Sequence, residues 1–146
     1  EAVAQAFIQG LLEENGFTVE LLALDPKRPN LIATLEAPSK ADGPTVALLT
    51  HIDTVLANAD EWQVDPWSGD IREGCIWGRG AQDMKGQAAA ELAEAVELVK
   101  AGWRPASGAL KIIVTSDEEA GGTYGARNTA SLRTPGALLR DFALTL

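Results

Sequence analysis

One cysteine, Cys75, and one histidine, His51, are all that 146 residues hold of either type. A single thiol excludes an intrachain disulfide and a zinc cage built on cysteines. Positive charge is also scarce: 12 Lys and Arg stand against 21 Asp and Glu, a formal net charge of −9. Nucleic-acid binders normally carry a basic face, so this balance argues against such a partner. It says less about small substrates, because charge near a pocket can oppose the global sign. No apolar run approaches the roughly 20 residues that span a bilayer, which argues against a membrane partner. No signal-peptide pattern opens the chain, and with the lone thiol this makes the cytoplasm the expected location. Gly78-Arg79-Gly80 lacks the spacing of a dinucleotide fingerprint, and neither a P-loop nor a Gly-x-Ser-x-Gly elbow occurs. Internal repeats and low-complexity segments are absent.

What is present is the composition of one globular domain, 46% hydrophobic and 23% charged. Both ends read as cut. Glu1-Ala2-Val3-Ala4 looks like helix interior and Asp141 to Leu146 like a strand, so residues 1–146 are expected to be part of a larger unit. Val3, Ala6, Phe7, Leu11 and Leu12 lie at helical spacing, and Gly16 is placed to end that helix. Phe17 to Leu24 and Leu31 to Ala37 read as two strands joined by the turn Asp25 to Asn30. Thr45 to Thr50 is a short apolar run, as in a strand buried on both faces. A long connection, Leu56 to Ile76, follows, and connections of that length inside a compact domain are usually functional.

A second helix is predicted from about Met84 to Ala101, with a stripe at Ala88, Leu92, Val96 and Val99. Leu110 to Val114 reads as another buried strand, Tyr124 to about Leu132 as a helix, and Leu138 to Leu146 as a last strand. Strands alternating with helices imply a layered α/β domain whose mixed central sheet is partly parallel.

Three stretches carry the chemistry. His51-Ile52-Asp53 and Ser116-Asp117-Glu118-Glu119 each close a buried strand, and the C-terminal edge of an open α/β sheet is where ligand sites are built. Between them Trp77 to Gly86 places three glycines around Asp83 at the mouth of the second helix. His51 offers an imidazole ligand whose tautomer a nearby carboxylate can fix. Asp83 at a Gly-rich turn can bridge two cations. Of two adjacent glutamates, one can bind metal while the other moves a proton. Blander roles fit the same residues: Asp83 as an N-cap, Ser116 with Glu119 as a capping box, and His51 closing a strand. Those roles would make the chain a non-catalytic fold relative or an interaction module. His51 acting as a base without metal is a third option. Trp62, Trp67 and Trp77 can line a pocket, but packing of the long connection onto the sheet is the expectation for them.

Taken in order, these pieces resemble the dinuclear zinc peptidase and deacylase family, which includes acetylornithine deacetylase, succinyl-diaminopimelate desuccinylase, aminoacylase and glutamate carboxypeptidase. The resemblance rests on His51-Ile52-Asp53-Thr54-Val55, on Trp62 through Asp65-Pro66-Trp67, and on Gly78-Arg79-Gly80-Ala81 with Asp83-Met84-Lys85-Gly86. Thr115 to Glu119 with Gly121-Gly122 and Gly125-Ala126-Arg127 completes it. It implies a layered α/β/α fold and two zinc ions, with cobalt or manganese as substitutes. By position, His51, Asp83 and Glu119 would be metal ligands, with Asp83 bridging. Asp53 would orient His51, and Glu118 would be the general base toward a metal-bridging water. The substrate implied is an N-acyl amino acid or small peptide.

The departures from the family bear on completeness. Its members usually carry one more metal-binding carboxylate beyond the Glu-Glu pair, a last histidine ligand, and a smaller second domain that often dimerises. None of these is in the sequence, so the 146 residues alone are expected to be a poor hydrolase. A truncated sheet also leaves apolar edges through which copies can associate as a homo-oligomer.

Overall fold

A computed structural model describes residues 1–39, 41–127 and 142–144, the last three by their backbone. Helix α1 (Ala2–Glu14) ends as expected near Gly16, whose φ of +84° suits glycine. Strands β1 (Thr18–Leu22) and β2 (Asn30–Glu36) pair antiparallel as a hairpin around the Pro-rich turn. Strand β3 (Thr45–His51) comes next, and then the long connection.

That connection is more ordered than its composition predicts. It holds a 3₁₀ turn at Ala59–Glu61 and a small hairpin, β4 (Asp70–Arg72) with β5 (Cys75–Trp77). Glu73 and Gly74, with φ of +53° and +77°, form its two-residue bend, as a primed turn requires. A wide helical turn at Ala81–Lys85 leads into α2 (Gly86–Lys100). Strand β6 (Ala109–Thr115) and the short β7 (Phe142–Leu144) complete the elements. The helix expected from Tyr124 to Leu132 lies mostly outside the described residues, with Ala126 and Arg127 helical.

The five-stranded sheet runs β1-β2-β6-β3-β7. β1, β2 and β6 are antiparallel neighbours, whereas β3 lies parallel between β6 and β7. The mixed, partly parallel sheet is therefore as expected. One face packs on both helices: Leu31, Ala33 and Leu35 of β2 and Leu110, Ile112 and Val114 of β6 meet Ile8, Leu12, Leu92 and Val96. The alternate residues Ile32, Ala47 and Ile113 form a smaller cluster on the opposite face. Full burial of Leu12, Leu31, Ile112 and Val114 stabilises the fold by about 1.5–3 kcal/mol for each such side chain. The described residues thus supply the sheet and one helical layer.

Two expectations need correction. Helix α1 does not bury the stripe its apolar residues suggest. Val3 and Phe7 are 87% and 72% exposed, while Gln5, Ile8 and Leu12 are buried. The helix turns this way because the Gln5 amide donates to the carbonyls of Pro29 (3.1 Å) and Val114 (2.9 Å), tying α1 to the end of β6. Nor is β3 buried on both faces among the described residues, since Val46 and Leu49 remain 42% and 46% exposed.

Candidate metal centre

β3 and β6 run side by side in the same direction, with His51 in register with Thr115. Their pairing continues one step further, the Ile52 N–H donating to the Thr115 carbonyl at 3.1 Å. The two strands therefore deliver His51-Ile52-Asp53 and Glu118-Glu119 to one corner of the sheet. The Gly-rich turn brings Asp83 over the same corner. One ligand atom from each of His51, Asp83 and Glu119 lies within 4.8 Å of the others.

His51 is buried and Asp83 stands at the surface, its side chain 76% exposed. Nδ1 of His51 lies 3.3 Å from the Asp53 carbonyl oxygen and 3.4 Å from Asp53 Oδ1. Nε2 faces Asp83 Oδ1 at 3.3 Å and Glu118 Oε2 at 3.7 Å. A proton on Nδ1 is donated to the Asp53 carbonyl and leaves the Nε2 lone pair pointing at two carboxylates. Lone pair against carboxylate is repulsive unless a cation or a proton stands between them. The donor set is one that could hold a cation: one imidazole nitrogen and carboxylate oxygens, with the second ring nitrogen held from behind.

Asp53 does more than hold the imidazole. Its Oδ2 accepts the Glu119 N–H at 3.0 Å, so the same carboxylate fixes the turn that carries Glu119. Nearby, burial of the Lys85 amine lowers it below the usual lysine range, against the pull of Asp53 and Glu119.

The capping roles open to these acids are not the ones they play. Helix α2 starts at Gly86 and receives no side-chain cap, while Asp83 sits upstream with φ −114° and ψ 99°, its peptide to Met84 cis. Ser116 does not cap a helix either. Its hydroxyl donates to the Arg28 carbonyl at 3.0 Å, and residues 118–121 form a turn. Asp117 takes φ +60° there, and Gly121 and Gly122 follow at +97° and +70°. The Gly122 N–H closes onto the Asp117 carbonyl at 2.6 Å. The result aims Glu118 and Glu119 toward His51.

Beneath this turn lies a polar layer that sequence reasoning did not assign. Asn30, fully buried, accepts from the Ser116 N–H (3.0 Å) and donates to the carbonyls of Leu22 (3.2 Å) and Tyr124 (2.6 Å). Asp117 is buried, ion-paired to Arg28, and accepts the Tyr124 N–H at 3.1 Å. Arg28 also lies over the Tyr124 ring, 5.3 Å from its centroid. The sequence assigns Arg28 and Asn30 only to a turn. The available signal was an Asn immediately preceding a buried apolar run.

Beside the cluster opens a cavity of about 1180 Å³, lined by Trp62, Trp77, Arg79, Met84, Asp83 and Glu119 among others. Trp62 and Trp77 therefore do line a pocket, contrary to the packing role expected of them, while Trp67 is 59% exposed. The hairpin explains the difference, since β5 carries Trp77 to the mouth and the Arg79 N–H anchors the Gly-rich turn to the buried Pro66 carbonyl at 2.7 Å. At Gly80, with φ +79°, an added Cβ would run into Thr54 and the Lys85 amine. Both are side-chain tips that can shift, so it is the left-handed φ that calls for glycine there.

The model of peptidase family M20/M25/M40 matches residues 47–145, more than half of the chain and with it His51, Asp53, Asp83, Glu118 and Glu119. The chain belongs to this family. Among M20/M25/M40 relatives it is 35% identical over 146 residues to succinyl-diaminopimelate desuccinylase of Xanthomonas oryzae pv. oryzae, covering 99% of this chain and 37% of that one. To the protein of the same name from Rhodospirillum centenum it is 36% identical over 121 residues, covering 82% of this chain and 31% of that one. It thus spans about a third of the length of these relatives, 37% of one and 31% of the other.

Solved structures share the fold. Human carnosine dipeptidase 1 superposes with a TM-score of 0.71 at 23% identity, over 84% of this chain and 27% of that one. An M20 family metallo-carboxypeptidase from Sulfolobus solfataricus gives 0.67 at 22%, over 82% of this chain and 26% of that one. No described helix is long and apolar enough to cross a membrane.

Proposed function

We propose that these residues form the metal-holding part of a hydrolase that cleaves the amide bond of an N-acyl amino acid or small peptide. The observation that carries this reading is the meeting of His51, Asp83 and Glu119 at one sheet corner, their ligand atoms within 4.8 Å. The relatives' names, a desuccinylase and a dipeptidase among them, support the reaction class.

In this reading His51, Asp83 and Glu119 are the residues that would hold the metal, zinc by the family resemblance. Bound there, the metal would acidify a water molecule and polarise the scissile carbonyl. Asp53 keeps the Nδ1 proton of His51 in place, so that Nε2 presents its lone pair to the metal. Glu118, whose side chain is 58% exposed and 3.7 Å from that nitrogen, is free to take a proton from water. It then returns the proton to the leaving amine. A further carboxylate, a second histidine and a smaller domain, as the resemblance implies, would complete the unit that turns over substrate. The residues present here supply one end of it.

The test is a calorimetric zinc titration of metal-free protein, with Glu119→Ala alongside. Saturable binding to the parent, weakened at least about 10-fold in the variant, is the expected result. Equal affinity in both proteins, or no binding to either, would remove the metal site.

A further inference from the structure

The bend that aims Glu118 and Glu119 at His51 turns on Asp117, whose φ of +60° is uncommon for a residue with a side chain. What holds it there lies 89 residues away in sequence. Both oxygens of the buried Asp117 carboxylate are engaged, Oδ1 by the Arg28 guanidinium and Oδ2 by the Tyr124 N–H at 3.1 Å. The Arg28 carbonyl accepts the Ser116 hydroxyl at 3.0 Å, and the guanidinium lies over the Tyr124 ring. Arg28 thus grips the turn at its entry and at its exit. Its own footing is fixed as well. Its N–H donates to the Asp25 carbonyl at 2.8 Å, and the next carbonyl, of Pro29, accepts the Gln5 amide at 3.1 Å. The pair of Arg72 with Asp70 shows the contrast. There the partners are two residues apart, with side chains 56% and 42% exposed, whereas the Asp117 side chain is 4% exposed. An exposed pair contributes little, but a buried carboxylate stripped of its cation is strongly disfavoured.

We propose that Arg28 is a positioning residue for the metal centre, acting through Asp117 to set the direction of the Glu118–Glu119 pair. The inference rests on the metal-site reading above and adds to it a residue from the turn between β1 and β2. Without Arg28, Asp117 relieves its unpaired charge by leaving the left-handed region and turning its carboxylate to water. That rotation swings the next two residues, Glu118 and Glu119, off the corner where His51 and Asp83 stand. Arginine suits the place better than lysine, because its planar head meets the carboxylate while its face stays on the Tyr124 ring.

The experiment pairs amide hydrogen exchange of the metal-free chain with calorimetric zinc titration. The Glu119 N–H, which donates to Asp53 Oδ2, reports the aim of the turn. The Ile112 N–H, in the middle of β6, reports the fold. In Arg28→Met, exchange at Glu119 should speed up by more than at Ile112, and zinc should bind roughly 10-fold more weakly. Arg28→Lys keeps the charge and should restore part of both, which preserves the test if the methionine variant does not fold. Asp117→Gly supplies the decisive background, since glycine takes the left-handed bend without strain and carries no charge to pair. There Arg28→Met should change neither readout. Equal acceleration at Glu119 and Ile112, parent-like zinc affinity in Arg28→Met, or a full effect of Arg28→Met in the Asp117→Gly background would overturn the positioning role. The two readings fail separately. A parent that binds no zinc, with Glu119 exchange still governed by Arg28, sinks the metal site alone, and zinc binding indifferent to Arg28 sinks the positioning role alone.

Discussion

Asp53 is bound at both ends of the site: its Oδ2 takes the Glu119 N–H at 3.0 Å while its backbone carbonyl sits 3.3 Å from His51 Nδ1. A single residue just past β3 therefore sets the tautomer of one proposed ligand and the position of another. Replacing Asp53 by Asn keeps an acceptor for Glu119 but removes the charge that holds the imidazole proton. Zinc affinity should fall by about 10–100-fold, the usual consequence of removing a ligand's supporting partner, and calorimetry reads it directly. Affinity equal to the parent's would mean that the imidazole is oriented by the backbone carbonyl alone.

Asp83 offers a sharper separation of roles. An Asp that caps a helix costs about 1 kcal/mol when changed to Ala. Here the side chain is 76% exposed and α2 begins three residues later without a side-chain cap. Asp83→Ala should therefore leave urea unfolding of the metal-free protein within about 0.5 kcal/mol of the parent, as for surface positions without a structural role. Zinc binding should be lost in the same variant. Stability lost with zinc affinity kept would make Asp83 structural after all.

How much of this was legible beforehand differs between strand ends and loops. The apolar runs ending at Thr50 and Val114 declared β3 and β6, and an α/β topology allowed their C-terminal ends to share an edge, as the parallel pairing shows that they do. That sufficed to bring His51, Asp53 and Glu119 together. The hairpin β4–β5 stayed hidden because its strands are three residues each and mostly exposed, with no alternating apolar face to announce them. The rotation of α1 was hidden for another reason: a buried Gln looks polar in sequence until its two carbonyl partners, 24 and 109 residues away, are placed. Asp83 and Ser116 match capping patterns, and only the non-helical backbone around each shows that they do something else.

Asn30 tests how far the polar layer governs the site above it. Its side chain joins β1, the Ser116 corner and Tyr124, so Asn30→Ala strands the Ser116 N–H and two carbonyls inside the protein. Each buried group left unpaired costs about 1–3 kcal/mol, and allowing for partial relaxation the loss should be at least about 2 kcal/mol in urea unfolding. The Glu118–Glu119 turn would then lose its anchor at the Ser116 N–H, keeping its own closures, the Asp53 bond and the contacts of Ser116 and Asp117 with Arg28. Zinc affinity measured well below the unfolding transition should fall with it, by several-fold. If stability drops while zinc affinity holds, the turn is rigid on its own and Asn30 serves the fold alone. A joint loss would show that the metal site is positioned from beneath, by a residue that touches none of its ligands.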